Sequence, residues 1–193
     1  MKHIAMKNRI RAYAVSQGFD LVGFSSTHLE TKHLLAFNSW LKKGYEGSMT
    51  YMQKKEPRED ILKLLSQAKT VISLAMNYYH QQLPLKKNHG RIARYAYGRD
   101  YHKIIPKKLK AVEKFITTLA PYATTKSYTD TGPVLERAYA EQSGIGFIGK
   151  NTCLITPTLG SWVFLAEIIT TLPFDPDQKL LKTEKPFAAC GGC

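Results

Sequence analysis

The sequence contains no hydrophobic run long enough to cross a membrane. Its longest apolar run, residues 162–169, is interrupted by Glu167 and falls short of the roughly 18 residues that a membrane helix needs. The basic N-terminal segment, residues 1–11, lacks the apolar core of a signal peptide. We therefore expect a cytoplasmic protein that has no membrane partner.

Cysteine is also scarce, with three residues in the whole chain. Cys153 lies in a strand-like segment, where we expect a small buried side chain. Cys190 and Cys193 form a C-x-x-C pair, which suits an oxidised hairpin or a redox pair, although no thioredoxin-like pattern surrounds it. Two thiolates complete neither a zinc site nor an iron–sulfur cluster. Because the spacing matches the opening of C-x-x-C-x-x-C, we expect this chain to be the front part of a longer protein.

Acidic residues are few, since 15 Asp and Glu stand against 28 Lys and Arg and give a net charge of +13. This excess is unusual for an enzyme of small molecules and favours a polyanionic partner. The charge is concentrated in residues 84–110, where Tyr95, Tyr97 and Tyr101 are interleaved with basic side chains. Such rings can stack on unpaired bases, so the cluster favours nucleic acid, whereas any single lysine is better explained as part of a solvated face.

Apolar residues are plentiful, at 44% of the chain, which predicts one globular domain with a sizeable core. Helix-like and strand-like patterns alternate irregularly and predict an α+β (mixed α/β) fold with helices covering a sheet. We expect residues 1–172 to form this domain and residues 173–193 to form a linker with the last two cysteines. The patterns predict helices over 4–17, 29–43, 60–67, 100–119 and 134–142, strands over 19–24, 70–77, 124–128 and 161–171, and an extended segment over 91–97.

The densest run of functional residue types extends from residue 129 to residue 154. Asp130 follows a predicted strand, and Gly132 and Pro133 then turn the chain into a predicted helix. Pro133 suits the first helical position, where its missing N–H costs nothing. Asp130 therefore lies at a strand-to-helix junction, where side chains point into clefts. A turn or N-cap role is the more common one for such an aspartate.

Three glycines in the same run, Gly144, Gly146 and Gly149, spell the dinucleotide fingerprint G-x-G-x-x-G. That fingerprint requires a strand before it and a helix after it. Here a predicted helix precedes it and a strand-like segment follows, so we reject a Rossmann site. The glycines instead predict a tight turn or a close approach of the backbone to a ligand.

Asp100, His102 and Asp130 are the best acid–base candidates. A carboxylic acid in a partly desolvated site can deliver a proton near neutral pH if its pKa is raised. A histidine two residues from an aspartate, near a helix N-terminus, can orient a substrate or a second carboxylate. The spacing alone leaves open whether the three residues share one site.

Six sequence blocks resemble epoxyqueuosine reductase, in the family's order, and cover most of the chain from Phe19 onward. The blocks are G-Y-E-G-S-M-T-Y-M (44–52), V-I-S-L-A-M-N-Y-Y (71–79), I-A-R-Y-A-Y-G-R-D-Y-H (92–102), D-T-G-P-V-L-E-R (130–137), G-I-G-F-I-G-K-N-T-C-L-I (144–155) and L-G-S-W-V-F-L-A-E-I (159–168).

This resemblance implies an enzyme that reduces epoxyqueuosine to queuosine in tRNA, with cobalamin and 4Fe–4S clusters as cofactors. It implies a cobalamin-binding domain similar to flavin nitroreductases and reductive dehalogenases. The implied partners are tRNA carrying epoxyqueuosine and an external electron donor, and we expect a monomer. The positive net charge agrees with an RNA substrate, because phosphate contacts dominate such affinity.

The resemblance also assigns site residues. The family's proton donor corresponds to Asp130, and supporting active-site residues correspond to Asp100 and His102. Cys190 and Cys193 correspond to the first ligands of a 4Fe–4S cluster whose ligand set this chain does not complete. The expected cobalamin contacts are Lys54, Ala93, Asp130, Leu154 and Leu165.

Alternatives remain open at this point. From its residues alone, the stretch 44–52, with glycines, aromatics and methionines, is better explained as core than as the lining of a flat cofactor. The chain is either a catalytic domain or a non-catalytic remnant that binds cobalamin or tRNA. A flavin-binding relative of the nitroreductases is a third possibility, and it predicts a yellow protein.

Overall fold

The computed structural model describes residues 2–81, 88 and 90–178. The helices are α1 (Lys2–Ser16), α2 (Thr31–Lys42), α3 (Glu56–Glu59), α4 (Tyr101–Leu119) and α5 (Glu136–Gln142). The strands are β1 (Leu21–Ser26), β2 (Thr70–Asn77), β3 (Thr125–Tyr128), β4 (Phe147–Ile148), β5 (Leu154–Ile155) and β6 (Val163–Thr170). Short 3₁₀ helices span Thr50–Gln53, Ile61–Lys63 and Arg94–Ala96. Within the described ranges, no helix combines the length and the apolar character that crossing a bilayer requires.

The four long strands form one antiparallel sheet in the order β1-β2-β6-β3. The central strands β2 and β6 are mostly buried, as their β-branched and aliphatic residues predict. In the register, Glu167 of β6 lies opposite Ser73 of β2 on one side and Tyr128 of β3 on the other. Strands β4 and β5 form a separate hairpin.

Helices α1 and α4 cover one face of this sheet. In α4, apolar side chains recur every three or four residues and form one buried stripe. This stripe packs with α1 against alternate residues of β2 and β6 in the largest core cluster. Its residues are Ile105, Leu109, Val112 and Ile116.

The opposite face is covered by α5 and by the loops that precede β2. Tyr139 of α5 is buried there with Val71 of β2 and Ile169 of β6. The Tyr139 hydroxyl donates to the carbonyl of Thr27 at 2.9 Å, so this large side chain is buried without an unpaired polar group. Helices on both faces confirm the predicted mixed α/β fold.

The segment after β6 runs back along β1. Phe174 packs into the main core, and the Asp177 N–H donates to the carbonyl of Phe24 at 2.8 Å. The Asp177 carboxylate accepts from the Phe24 N–H at 2.9 Å and binds Lys7 and Arg11 of α1 at 2.7 and 2.8 Å. Phe174, in the expected linker, therefore packs against the same core as the strands and helices before it.

Two predicted elements differ in extent. The helix predicted over 60–67 is wrong: the chain makes only a 3₁₀ turn, Ile61–Lys63, because Asp60 caps it by accepting from the Leu62 N–H and the chain then turns into β2. The segment 91–97 is not extended throughout, since residues 94–96 form a 3₁₀ turn.

Two residue-level predictions are also wrong. Pro133 does not begin α5, because Leu135 has a non-helical backbone (φ −83, ψ 70) and the helix starts at Glu136. Cys153 is exposed rather than buried. Thr152 just before it has a left-handed φ of 64, and the inward position of the following strand is taken by the buried Leu154.

Candidate active site

One histidine joins two aspartates that are distant in sequence. Asp100 caps the N-terminus of α4 by accepting from the His102 N–H at 3.0 Å. This capping places the His102 ring in the first helical turn, with Nδ1 at 2.9 Å from Oδ1 of Asp100. On the other side, Nε2 of His102 lies 2.8 Å from Oδ2 of Asp130, which follows β3. The structure thus brings the three predicted acid–base residues into one site.

The electrostatics of this site follow from its hydrogen bonds. The bonds to Asp130 and then to Asp100 raise the pKa of His102, because both carboxylates favour the imidazolium form. The hydrogen bond with His102 lowers the pKa of Asp100. The side chains of His102, Asp100 and Asp130 are 42%, 49% and 54% exposed, so a substrate can reach all three.

The Asp130 backbone is held in a conformation that few residues other than glycine adopt. Its φ is 55, in the left-handed region. Its N–H donates to Oε1 of Glu136 at 2.6 Å, and the Thr129 hydroxyl donates to the carbonyl of Leu165 at 2.8 Å. The loop that carries Asp130 is therefore fastened to both α5 and β6.

Tyr101 forms the floor beside His102 and Asp130. Its ring stacks on Phe164 of β6 at 4.1 Å and lies 4.0 Å from the His102 ring. Burial, followed by the charge and hydrogen bond of Asp130, raises the pKa of Tyr101 to about 12. The phenol therefore stays protonated at neutral pH and can donate to Asp130.

An aromatic row extends from Tyr101 towards the surface. Tyr78 contacts Phe164 at 4.6 Å and Trp162 at 5.9 Å. The Arg94 guanidinium lies over the rings of Tyr79 and Trp162, at 4.6 and 4.9 Å. Because Tyr79 and Trp162 are 48% and 39% exposed, the row presents flat rings and a cation to solvent.

The residues expected to contact cobalamin lie on separate segments. Leu154 is buried and Leu165 partly buried, in one small cluster with Ala75. Leu165 also receives the hydrogen bond of the Asp130 loop, described above. Lys54 is exposed at the end of the 3₁₀ turn Thr50–Gln53, and Ala93 is exposed just before the 3₁₀ turn at residues 94–96. Lys54 and Ala93 thus lie on segments other than those that carry the three acid–base residues.

The glycine-rich run forms the β4–β5 hairpin beside this cluster. A helix precedes it and a strand follows, which confirms the rejection of a Rossmann site. A β-carbon on Gly146 would lie 2.5 Å from the carbonyl oxygen of Ile155, so this glycine permits close approach of the chain to itself. Glu141 of α5 fastens the hairpin by accepting from the Ile148 N–H at 2.8 Å.

The sequence did not reveal three further residues near Asp130. The sequence pattern predicts only a base-stacking role for Tyr101, and it gives Glu136, within the block 130–137, no separate role. Glu167 interrupts an apolar run in the sequence, and an acid inside a buried strand is itself a signal of function. Cys190 and Cys193 lie outside the described residues. In the part of the chain that the structure describes, no group of three or more His, Cys, Asp and Glu residues could hold a metal ion.

Residues 58–131 match the family model described as epoxyqueuosine reductase QueG, DUF1730. The epoxyqueuosine reductase of Gloeobacter violaceus is 42% identical over 172 residues, which are 88% of this chain and 53% of that protein. That of Prochlorococcus marinus is 37% identical over 98% of this chain and 59% of its own length. The chain thus spans little more than half the length of these relatives.

Solved structures give the same result. Epoxyqueuosine reductase from Streptococcus thermophilus superposes with a TM-score of 0.81 at 32% identity, over 90% of this chain and 48% of its own. An epoxyqueuosine reductase with an epoxyqueuosine-modified tRNA stem loop gives a TM-score of 0.77 at 30% identity, over 98% and 50%. The enzyme from Bacillus subtilis, with its catalytic aspartate loop swung out of the active site, gives 0.79 at 30% identity, over the same shares.

A reductive dehalogenase shares the fold with a TM-score of 0.57 at 11% identity, over 91% of this chain and 21% of its own. This chain therefore belongs to the same fold class as that reductive dehalogenase. Within that class, its sequence relatives are the epoxyqueuosine reductases, which confirms the resemblance seen in the six sequence blocks.

Proposed function

We propose that residues 1–172 form the cobalamin-binding catalytic domain of an epoxyqueuosine reductase, which reduces epoxyqueuosine to queuosine in tRNA. The observation that carries this proposal is the bridge of His102 between Asp100 and Asp130, with both contacts below 3 Å. These contacts bring together the sequence blocks 92–102 and 130–137, which both resemble the family, and form one accessible acid–base site.

The proposed reaction removes the epoxide oxygen as water and consumes electrons and protons. Asp130 is the proposed proton donor to that oxygen. His102 positions the Asp130 carboxyl through Nε2, and the imidazolium stabilises the carboxylate that remains after proton transfer. Asp100 fixes the orientation of the ring through Nδ1, in the way that a carboxylate orients a catalytic histidine.

The residues present fit a flat, largely apolar cofactor. The two segments that carry Lys54 and Ala93 expose large apolar side chains, which soluble proteins usually cover. Lys54, Ala93, Leu154 and Leu165 would hold the corrin ring, which supplies low-valent cobalt when bound. The exposed side chains are Tyr45, Met49, Tyr51, Ile92 and Tyr95.

The proposed substrate is tRNA carrying epoxyqueuosine, because the net charge of +13 and the exposed row of Tyr79 and Trp162 suit a single-stranded RNA loop. The related structure with a modified tRNA stem loop supports this substrate class. Electrons would come from an external donor through 4Fe–4S clusters, with Cys190 and Cys193 as ligands of one cluster. We propose a monomer in the cytoplasm.

The loop that carries Asp130 is proposed to move during the catalytic cycle. In the Bacillus subtilis relative, the loop that carries the catalytic aspartate is swung out of the active site. In this chain the loop is closed against His102, and it is held by the side chains of Glu136 and Thr129.

The first test is a cobalamin titration of the chain, followed by its visible spectrum. Saturable binding with a change of the cobalt axial ligand supports the cofactor assignment. A bound flavin spectrum instead would favour the flavin-binding alternative. If cobalamin does not bind, the proposed catalytic role of this chain is rejected.

The second test is turnover on epoxyqueuosine tRNA with chemically reduced cobalamin. Asp130→Asn should lose turnover and keep cobalamin binding, whereas the exposed control Asp175→Asn should keep both. Unchanged turnover in Asp130→Asn would reject the proton-donor role. Cobalamin or tRNA binding by the unmodified chain without any turnover would favour the non-catalytic remnant.

A further inference from the structure

An acid lies in the middle of the sheet, where apolar residues are the rule. Glu167, on the central strand β6, is fully buried between Ser73 of β2 and Tyr128 of β3. Within the described ranges, no hydrogen-bond donor reaches either of its carboxyl oxygens. A buried ionised carboxylate without a donor is strongly unfavourable, so Glu167 is expected to hold a proton.

The group beside Glu167 is the carboxyl of Glu136, the first residue of α5. Two ionised carboxylates in contact repel each other, whereas a proton turns one of them into a donor for the other. Burial and the neighbouring acid raise the pKa of Glu167 well above its usual value, and burial raises the pKa of Glu136 to about 7. The pair therefore carries at least one proton at neutral pH.

Glu136 also binds the backbone amide of Asp130. Its Oε1 accepts from the Asp130 N–H at 2.6 Å, and Asp130 has the left-handed φ of 55. A residue with a side chain keeps such a conformation only when its surroundings enforce it. The path of contacts thus runs from the buried Glu167 through Glu136 to the main chain of the proposed proton donor.

Other titratable groups face the pair from the loop, from α4 and from α5. The charges of Asp130 and Arg137 act on Glu136, whereas Glu136 acts on Tyr101 and Glu167 acts on Tyr139. Arg137 is the cation among them, and its guanidinium donates to the carbonyl of Thr152 on the β4–β5 connection. Burial raises the pKa of Tyr101 and Tyr139, so both phenols stay neutral at neutral pH. Neither tyrosine therefore takes up the proton that Glu136 and Glu167 share.

We propose that Glu136 and Glu167 form a proton-sharing pair that positions Asp130, with Glu136 as the residue that holds the Asp130 amide. Both are positioning residues, because they act through Asp130. Only the effect on turnover rests on the proposed function. The shared proton and its coupling to the Asp130 amide are properties of the chain itself.

The coupling can be measured without cofactor or substrate. The ¹H–¹⁵N resonance of the Asp130 amide should shift with pH, with a midpoint near the pKa of about 7 that Glu136 has. This component should vanish in Glu136→Gln and persist in His102→Gln, because His102 contacts the same aspartate through its side chain. An amide that does not titrate, or that titrates equally in Glu136→Gln, would overturn the proposal.

The proton can be observed by infrared spectroscopy. A carbonyl band of a buried protonated carboxyl should persist at neutral pH and disappear in Glu167→Gln. The control Glu113→Gln changes a glutamate of α4 that is not among the groups acting on the pair, so the band should remain. Absence of the band in the unmodified chain would overturn the shared proton.

The positioning role is tested by turnover. Glu136→Leu removes the acceptor and should lower turnover about 10- to 100-fold, the usual effect of a small misplacement of a catalytic group. Glu136→Gln keeps an acceptor oxygen and a donor, so it should recover most of that loss. Equal turnover of Glu136→Leu and the unmodified chain would reject the positioning role.

The two proposals fail in different ways. If the Asp130 amide titrates as expected and even the unmodified chain has no turnover, the proposed function fails and the acid pair stands. If Glu136→Leu does not fold, the spectra of Glu136→Gln and Glu167→Gln still decide whether the proton is shared.

Discussion

Gly23 of β1 lies directly against the carbonyl of Ser143 at the end of α5, and a β-carbon on Gly23 would lie 2.4 Å from that oxygen. Gly23→Ala should therefore force α5 away from the sheet and lower the free energy of unfolding by about 1–3 kcal/mol, as overpacking does. Chemical denaturation measures this change. Gly90→Ala is the control, because nothing lies within 4 Å of a β-carbon there. Equal stability of the two variants would contradict the close contact.

The Asp177 carboxylate should contribute to stability through its three donors. Asp177→Ala should lower the free energy of unfolding by about 1–3 kcal/mol, because the Phe24 amide loses its side-chain acceptor and Lys7 and Arg11 lose their ion-pair partner. Asp175→Ala is the matched control, since its side chain is exposed. A loss that is equal in both variants would show that the carboxylate has no special role.

The contribution of Asp177 should depend on pH. Burial alone would raise its pKa, but the hydrogen bonds from Lys7 and Arg11 outweigh burial and lower the pKa from the ordinary 3.8. The stabilisation is therefore present above that ordinary value and is lost as pH falls through the lower pKa of the folded state. The difference in melting temperature between the unmodified chain and Asp177→Ala should narrow in acid. A difference that is constant from acid to neutral pH would contradict this assignment.

His102 should titrate above the ordinary histidine value of 6.5, because Asp130 and Asp100 raise its pKa. Its contribution to stability is present below that value and is lost as pH rises through the raised pKa. In ¹H NMR, Asp130→Asn should lower the midpoint of the His102 ring signals more than Asp100→Asn, since Asp130 is the larger cause. The other histidine signals serve as internal controls, and the reverse order would contradict the geometry.

Trp162 should contribute to RNA affinity through stacking. Trp162→Leu should weaken binding of a tRNA anticodon stem loop by about 1–3 kcal/mol, the usual loss for one stacked base. Fluorescence anisotropy with labelled RNA measures the affinity. Tyr122→Leu is the control, because Tyr122 is 76% exposed and lies in the turn between α4 and β3. Equal RNA affinities of Trp162→Leu and Tyr122→Leu would show that RNA does not stack on Trp162.

Much of the fold could be predicted because periodicity reports burial. The strand predicted over residues 70–77 is observed with those bounds, and α4 begins one residue after its predicted start at Asp100. The helix predicted over 60–67 failed because the apolar spacing of Ile61, Leu64 and Leu65 is also satisfied by a short 3₁₀ turn and the residues after it. Ile61 lies in the turn, and Leu64 and Leu65, which follow the turn, pack against the same second core cluster. A pattern of burial does not by itself distinguish the two.

The site was predicted less completely. Asp100, His102 and Asp130 were found because their residue types are typical of acid–base chemistry, and the structure brings them together. The Glu136–Glu167 contact could not be predicted, because it depends on the register of β6 against β3 and on the point where α5 begins. These features are set by tertiary packing rather than by local pattern.

The return of the chain along β1 has a consequence for solubility. A strand at the border of a sheet offers unpaired N–H and C=O groups to any other strand, which is a route to aggregation. Here the Asp177 backbone and carboxylate occupy both groups of Phe24, and the Arg11 guanidinium donates to the carbonyl of Val22. At the opposite border, β3 is only four residues long and carries Lys126. A chain that ends before residue 174 should therefore expose the unpaired backbone groups of the edge strand β1 and form oligomers.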